Sequence, residues 1–294
     1  MTKELSTLVE DVYALFDGTY ERTESEIEEG IHENGTTQSN LWDMGNAIQE
    51  AVMIGLETAG KPRTGTLRMS NIGKQDKQLW YEHQEDIPKE ELRPDTYIKF
   101  LYGHVIEALL LFLVKEAGHS VTHEQAEVEI EGIKGHMDCM IDGVPVDVKS
   151  ASNYSFKKFQ NGELFDNDPF GYIAQISAYS QANNSDHGAF LVMEKSLGKL
   201  TVMNVHDMEM IDATARIKHM KEVVANKDAP PRCHDVVADG KSGNMKLCTQ
   251  CSYCAYKEPC WSDANDGEGL YTYLYSTGPR YLTTVVNEPK VDKL

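Results

Sequence analysis

The sequence predicts a mixed α/β fold with a central mixed sheet flanked by helices, a helical N-terminal region and a cysteine-rich C-terminal lobe. Apolar residues recur at helical spacing in the first third, Val- and Ile-rich alternating segments follow between residues 126 and 149, and five of the six cysteines lie in the last quarter. Periods of about 3.6 and about 2 residues distinguish helices from strands. We expect regions at 1–65, 66–226 and 227–294, packed as one unit.

The helices are predicted from apolar spacing and from residues that cap or stop a helix. Ser70 is expected to cap the third of them, and Asp168 the fifth. The fourth is apolar almost all round, so we expect a central buried helix. The acidic run at residues 24–33 is expected to be a solvated connection. The predicted helices span 3–16, 41–59, about 70–81, 100–117, 169–183 and 208–225.

Strands are predicted at 126–133, 136–141, 144–149, 188–194 and 199–205, and the turn between the second and third fixes their register. Asp142 and Gly143 form the strongest short-range signal for a two-residue hairpin turn. Counting outward from the turn places Asp138 opposite Asp147, with β-carbons roughly 4.5 to 5.5 Å apart. Lys149 projects to the same face as Asp147.

Like charges that face each other weaken a hairpin, and a divalent cation bound between them would offset this repulsion. Asp138 and Asp147 could hold Mg²⁺ beside a reactive water, which Lys149 could orient or deprotonate. The alternative is a solvated strand face on which Lys149 pairs with one aspartate. Pro145 cannot donate a ladder hydrogen bond, so it indicates an edge position or a distorted turn.

Two further positions carry polar groups suited to such a site. Glu107 interrupts the apolar fourth helix, and a buried carboxylate is costly unless it is paired or binds a metal. It is a third oxygen donor, unless it pairs with a buried Lys, Arg or Tyr. Gln175 and Tyr179 share one helix face and could contact a DNA backbone, although a partly buried Tyr beside a surface Gln is the ordinary alternative.

Four motifs carry a resemblance to a known family. In order along the chain they are GHVIE at 103–107, GHMD at 135–138, DVK at 147–149 and QISAY at 175–179. Their order and spacing resemble the PD-(D/E)xK nuclease superfamily with its restriction-endonuclease-like core. They are most similar to the RecB-like branch, which includes CRISPR-associated RecB-like nucleases, the AddB nuclease domain and several bacteriophage exonucleases.

The resemblance implies a role for each matched residue. Glu107, Asp138 and Asp147 would bind the catalytic Mg²⁺ or Mn²⁺, and Lys149 would assist the attacking water. The segment at 68–82 resembles the one that precedes the core in these nucleases. Side chains suited to the substrate strand or a DNA end are Gln175, Tyr179, Arg68 and Ser70.

The cysteines at the C-terminal end predict a second metal site. Cys251, Cys254 and Cys260 have the spacing seen after the core in the iron-sulfur RecB-like nucleases and in AddB. Cys233 is the preferred fourth ligand and Cys248 the alternative. The site would be structural and could hold a 4Fe-4S cluster or Zn²⁺, the alternative being free buried thiols. Cys139 stands apart and is expected to be buried.

Charge and targeting signals restrict the function further. The net charge of −19 disfavours nucleic-acid binding, unless a groove lined by Lys and Arg and bound cations reverse it locally. The first residues are acidic where a signal peptide is basic, and no later stretch is expected to span a membrane. We therefore expect a cytoplasmic protein, of a bacterium or of a phage-infected host.

The combined interpretation is a metal-dependent DNA exonuclease that processes DNA ends in replication or recombination, encoded by a phage or its host. Its partner would be DNA with a free end, with a recombination or replication protein as a further partner. A structure-selective endonuclease is the alternative within enzymes, because the same metal site can cut internal bonds. A non-catalytic DNA-binding or adaptor module with a decayed site is the alternative outside them.

Overall fold

A computed structural model of the protein describes residues 3–20, 37–61, 65–84 and 86–294. It shows a mixed α/β fold with a central mixed sheet flanked by helices, as predicted. The acidic run at 24–33 lies outside the described residues. The described helices are α1 (Leu8–Asp17), α2 (Gln38–Thr58), α3 (Asp76–Glu82), α4 (Pro94–Glu116), α5 (Asn153–Gln160), α6 (Tyr172–Ala182), α7 (Ala213–Ala225), α8 (Thr249–Ser252), α9 (Lys257–Cys260) and α10 (Ala264–Gly267).

The strands fall into three sheets. The central sheet has the order β1-β4-β5-β6-β7, in which only β5 and β6 run parallel among the described strands. Helices α5 and α6 make the crossover that a parallel pair requires. The strands are β1 (Val121–Thr122), β2 (Ala126–Ile130), β3 (Ile133–Met137), β4 (Cys139–Ile141), β5 (Val144–Ala151), β6 (His187–Glu194), β7 (Lys199–His206), β8 (Val237–Ala238), β9 (Met245–Lys246), β10 (Tyr271–Tyr275) and β11 (Gly278–Thr284).

The β4–β5 hairpin has the predicted register. Cys139 pairs with Val146, and the intervening pairs follow to the turn. Both turn residues lie in the left-handed region, at φ +51° for Asp142 and +84° for Gly143, as a type I′ turn requires. Pro145 precedes the parallel ladder with β6, which begins at Val146, so its missing N–H removes no bond to that strand.

Two apolar clusters cover the faces of the central sheet. On one face α1 and α4 pack against β4 and β5 through residues that include Leu8, Val12, Ile106, Leu110 and Val114. Cys139 is fully buried in that cluster, as predicted. On the other face α5 and α6 bury Phe156, Phe159 and Ile176 against β6 and β7. The sheet therefore holds β5 rigidly between two packed layers.

Both predicted helix caps are wrong. The N-cap of α6 is Gly171 and not Asp168, whose carboxylate accepts hydrogen bonds from the Gly171 and Ile173 amides. Ser70 does not cap α3, because residues Met69–Asn71 form a separate short 3₁₀ helix and α3 begins at Asp76. Met69 is buried against β3, where a Cβ built on Gly135 would lie 2.6 Å from the Met69 Cβ. The chain must therefore turn inward at Met69 before α3 can begin.

Helix α4 is not buried all round, contrary to expectation. Ile98 is 67% exposed and Tyr102 is 46% exposed, because α1 and α2 cover only part of its surface. Its 23 residues, with a mean hydropathy of 1.7 in the most apolar window, pass a length-and-composition test for a membrane-crossing helix. The expectation that no stretch is apolar enough to span a membrane is therefore not met by this helix, and core helices of globular domains pass the same test.

The C-terminal region forms a small sheet in the order β10-β11-β9-β8 around Leu247, Trp261 and Ala264. It contacts the rest of the chain near α3, where the rings of Tyr81 and Tyr256 stack with centroids 5.6 Å apart. Nearby, the Lys257 ammonium forms an ion pair with a carboxylate that precedes α4. The cysteine-rich segment thus lies against the helices that lead into the central sheet.

Candidate active site

The β4–β5 hairpin brings Asp138, Asp147 and Lys149 together. Asp147 lies on the interior strand β5 and is 1% exposed, and its Oδ2 forms an ion pair with the Lys149 ammonium. Asp138 is the single residue between β3 and β4, just outside the β4–β5 ladder. There its Oδ2 accepts a hydrogen bond of 2.8 Å from the Val148 amide. The side chain therefore contacts β5 through this bond, and Asp138 is not a ladder partner of Asp147.

The site carries more negative charge than its one ammonium compensates. Burial, then the Asp147 carboxylate, raise the pKa of Asp138 well above its usual value, and Glu107 adds to the effect. Burial acts to lower the pKa of Lys149, but the carboxylates of Asp147 and Asp138 outweigh it and the net shift is upward. The ammonium therefore stays charged, and a carboxylate remains without full compensation.

Replacing Asp138 by Asn is expected to raise the free energy of unfolding of the metal-free protein at neutral pH. A carboxyl group with a raised folded pKa contributes stability that is fully present below its unfolded pKa, about 3.9, and is lost as the pH rises through the folded value. The advantage of the variant should therefore vanish as the pH falls toward about 4. Urea unfolding of both proteins in EDTA across this range measures it. A variant less stable than the parent at neutral pH would contradict the unfavourable burial of the Asp138 charge beside Asp147.

Glu107 projects from α4 into the same region. Gln125 Nε2 donates a 2.7 Å hydrogen bond to Glu107 Oε1, and the His104 Nδ1 lies 3.7 Å from Oε2. Among the described residues, its partners are therefore an amide and a histidine, and not the buried Lys, Arg or Tyr of the alternative. The Glu107 carboxylate, which interacts with the His104 imidazole, raises the pKa of His104.

Helix α6 borders the site with one face. Gln175 Nε2 donates a 3.0 Å hydrogen bond to the Tyr179 hydroxyl, so the two predicted residues contact each other. Tyr179 is 2% exposed, and burial foremost, with smaller effects of Asp147 and Asp138, raises its pKa to about 12. A buried Tyr supports the site from beneath and offers little surface to a ligand.

Sequence reasoning missed Tyr172. The Lys149 ammonium lies 5.3 Å from the centre of its ring, a cation–π distance. Burial raises the pKa of the Tyr172 hydroxyl, so it stays protonated at neutral pH. Its spacing of three and seven residues from Gln175 and Tyr179 places all three on one helix face, and that signal could have identified it.

Arg68 and Ser70 are exposed on either side of the buried Met69. The Ser70 hydroxyl contacts the neighbouring Asn71 Oδ1 at 3.4 Å. A large cavity opens beside Glu107 and Asp138, and its described lining includes neither Arg68 nor Ser70. Their contact with a substrate stays a prediction.

A cavity of about 1920 Å³ opens beside Glu107 and Asp138 and extends between α2 and α4 as far as Tyr256. Its lining is mixed in charge and is not the basic groove expected for phosphate. The bases include Lys61, Lys89, Lys115 and His136, and the acids include Asp43, Glu50, Glu90 and Glu124. Lys115 is itself paired with Glu124 at 2.7 Å.

A divalent cation fits the chemistry of the hairpin. Asp147 Oδ2 is buried, and its partner among the described residues is the Lys149 ammonium. Carboxylate oxygens are the ligands Mg²⁺ and Mn²⁺ prefer. Within the described ranges, no three His, Cys, Asp or Glu side chains converge closely enough to hold an ion. Glu107 thus does not close on the two aspartates in this conformation.

The C-terminal cysteines are reduced and partly exposed. Burial and the neighbouring Cys248, Cys254 and Cys260 sulfurs raise the pKa of Cys251. Burial also raises the pKa of Cys254 and of Cys260, and Cys233 adds to both shifts. Of the two candidate fourth ligands, Cys248 therefore lies near Cys251, and Cys233 lies near Cys254 and Cys260.

No protein-family model and no curated protein matches the sequence. Among solved structures, the chain is similar to an alkaline exonuclease from Laribacter hongkongensis, with 16% identity and a TM-score of 0.37 over 55% of this chain and 86% of that one. That exonuclease in complex with dAMP gives 15% and 0.35 over 55% and 86%. A phage-related exonuclease from Haemophilus somnus gives 10% and 0.31 over 76% and 91%. Similarity this distant carries no argument about the site.

Proposed function

We propose that this protein is a Mg²⁺- or Mn²⁺-dependent deoxyribonuclease of the PD-(D/E)xK superfamily, RecB-like branch, acting on DNA ends. The observation that carries the proposal is the hairpin site, where two aspartates lie beside one lysine, and burial together with the Asp147 carboxylate raises the pKa of Asp138. A structural ion pair alone would need one carboxylate for one ammonium. The excess carboxylate favours a second cation.

Each residue of the site then has a defined task. Asp138, Asp147 and Glu107 would hold the metal, which activates a water and neutralises charge on the scissile phosphate when bound. Lys149 is charged, because its pKa is raised. Its ammonium would orient the attacking water and stabilise the negative charge that develops on the phosphoryl oxygens. The Tyr172 ring beneath the ammonium restricts its position.

The substrate would approach along the large cavity, with Gln175 on α6 as a polar contact and Arg68 and Ser70 on the exposed approach. Because the lining is mixed in charge, binding should depend on the bound cation more than on a basic surface. The biological setting that we propose is DNA-end processing in replication or recombination, in the cytoplasm of a bacterium or a phage-infected cell.

Product analysis on linear and covalently closed circular DNA tests this function. With Mg²⁺ or Mn²⁺, we expect linear DNA to be degraded progressively from its ends and closed circles to stay intact. Cutting of closed circles would identify the endonuclease alternative. No cleavage of either substrate with either metal would contradict nuclease function and favour the adaptor alternative.

We also propose that the C-terminal cysteines hold a structural iron-sulfur cluster or Zn²⁺. Neighbouring sulfurs raise the pKa of Cys251, Cys254 and Cys260, which supports the proposal, and binding would draw the thiolates from their described positions into a tetrahedral set. Bound thiolates would join the segment after α7 to the segment that stacks on Tyr81.

A further inference from the structure

Gln125 contacts two of the three candidate metal ligands. Ala126 pairs with Met137 at the start of the β2–β3 ladder, so one further step places Gln125 opposite Asp138. The Gln125 amide donates a 2.9 Å hydrogen bond to the Asp138 carbonyl. This bond holds the main chain at Asp138, whose side chain contacts the Val148 amide of β5.

The side chain of the same residue reaches Glu107 on α4. Its Nε2 donates a 2.7 Å hydrogen bond to Glu107 Oε1. Gln125 is exposed and belongs to no apolar cluster of the described chain, so packing does not require this contact. A neutral donor also orients a carboxylate without consuming the negative charge that a cation needs.

The backbone at Gln125 is unusual. Its φ is +51°, a left-handed conformation that a side-chain-bearing residue adopts at a cost. His123, two residues earlier, is also left-handed at +55°. The tight turn after β1 therefore directs the Gln125 side chain toward α4 while its amide faces Asp138.

Resting on the proposed function, we propose that Gln125 is a positioning residue that restricts Glu107 and the Asp138 main chain before the divalent cation binds and draws the carboxylates together. Without the Gln125 side chain, Glu107 would sample several rotamers on the surface of α4. The main chain at Asp138 would be unchanged, but Glu107 would no longer be oriented as a metal ligand. Outer hydrogen-bond partners of metal ligands change metal affinity by roughly 10- to 100-fold when they are removed.

The variant Gln125→Asn separates the two contacts. Asn tolerates left-handed backbone well, so the amide bond to Asp138 should persist, while the shorter side chain cannot reach Glu107. Gln125→Gly removes the side chain with no backbone strain and serves if the Asn variant folds poorly. His123→Asn is the matched control, an exposed left-handed position in the same turn.

Calorimetric titration with Mn²⁺ and the Mn²⁺ dependence of cleavage form the test. We expect Gln125→Asn to bind Mn²⁺ roughly 10- to 100-fold more weakly, with the cleavage rate recovering toward that of the parent at saturating Mn²⁺. His123→Asn should match the parent in both measurements.

The outcomes distinguish this inference from the function on which it rests. Unchanged or tighter Mn²⁺ binding by both Gln125 variants, with an active parent protein, would overturn the role of Gln125 and leave the nuclease proposal standing. A lower maximal rate with unchanged Mn²⁺ affinity would also overturn it. A parent protein that neither binds Mn²⁺ nor cleaves DNA would overturn both.

Discussion

Asp147→Asn is expected to abolish metal-dependent DNA cleavage while leaving the fold intact. Asp147 is 1% exposed on an interior strand, and Asn keeps its shape while removing the charge that a divalent cation needs. Losing several kcal/mol of charge stabilisation corresponds to a fall in rate of roughly 10³-fold or more. The Mn²⁺-induced rise in melting temperature should disappear together with the activity.

Lys149→Met separates metal binding from water activation. Met keeps much of the apolar stem but has no ammonium, so Mn²⁺ should bind at least as tightly while cleavage falls by roughly 10²- to 10³-fold. Asp228→Asn and Lys134→Met make the same chemical changes at exposed positions and should behave as the parent. Full cleavage by either pure site variant, with Mg²⁺ or Mn²⁺ supplied, would contradict the assigned roles.

Cys254→Ser is expected to destabilise the C-terminal region strongly, because a structural thiolate site contributes folding free energy on the order of 10 kcal/mol. Cys233→Ser should have a similar effect, since Cys233 lies beside Cys254 and Cys260. Cys248→Ser should keep the metal, because four other sulfurs remain to complete the site.

Metal analysis and visible absorption of anaerobically purified protein measure this effect. A brown protein with iron and sulfide indicates a cluster, and a colourless one with stoichiometric zinc indicates Zn²⁺. Limited proteolysis then compares Cys254→Ser with Cys248→Ser. Proteolytic cleavage after α7 should increase for Cys254→Ser and should not increase for Cys248→Ser. Parent protein with neither metal, and equal proteolysis of both variants, would contradict a structural site.

The hairpin could be read from the sequence because its determinants are local. Asp142 and Gly143 both adopt the positive φ that the two-residue turn requires, and the turn alone sets the pairing to Cys139. The position of Asp138 could not be read in the same way. The β4–β5 ladder stops before Asp138, and the preceding strand β3 pairs with β2, which is a contact outside the hairpin.

The burial of α4 shows a second limit of sequence reasoning. An apolar run predicts a helix, but it does not reveal how much of that helix its neighbours cover. Phe100 is 45% exposed because α2 and α1 pack along other stripes of α4. Glu107 stands out in the sequence as a carboxylate within an apolar run, but its partner Gln125 is eighteen residues away in the turn before β2.

A turn at residues 131–132 also points to Gln125 as this partner. Glu131 and Gly132 both have positive φ and join β2 to β3 as a two-residue loop. Counting outward from them pairs Ile130 with Ile133 and leads to Gln125 opposite Asp138. By contrast, the spacing of the cysteines predicts proximity but cannot choose the fourth ligand, since Cys233 is separated from the others by two strands.

The rate of cleavage of end-labelled linear DNA by the parent protein, as EDTA is replaced by Mn²⁺, tests the central claim most directly. We predict no cleavage in EDTA, a rate that saturates with Mn²⁺, and loss of that dependence in Asp147→Asn. Cleavage that persists in EDTA, or that Asp147→Asn retains, would contradict a divalent-metal site at Asp138 and Asp147.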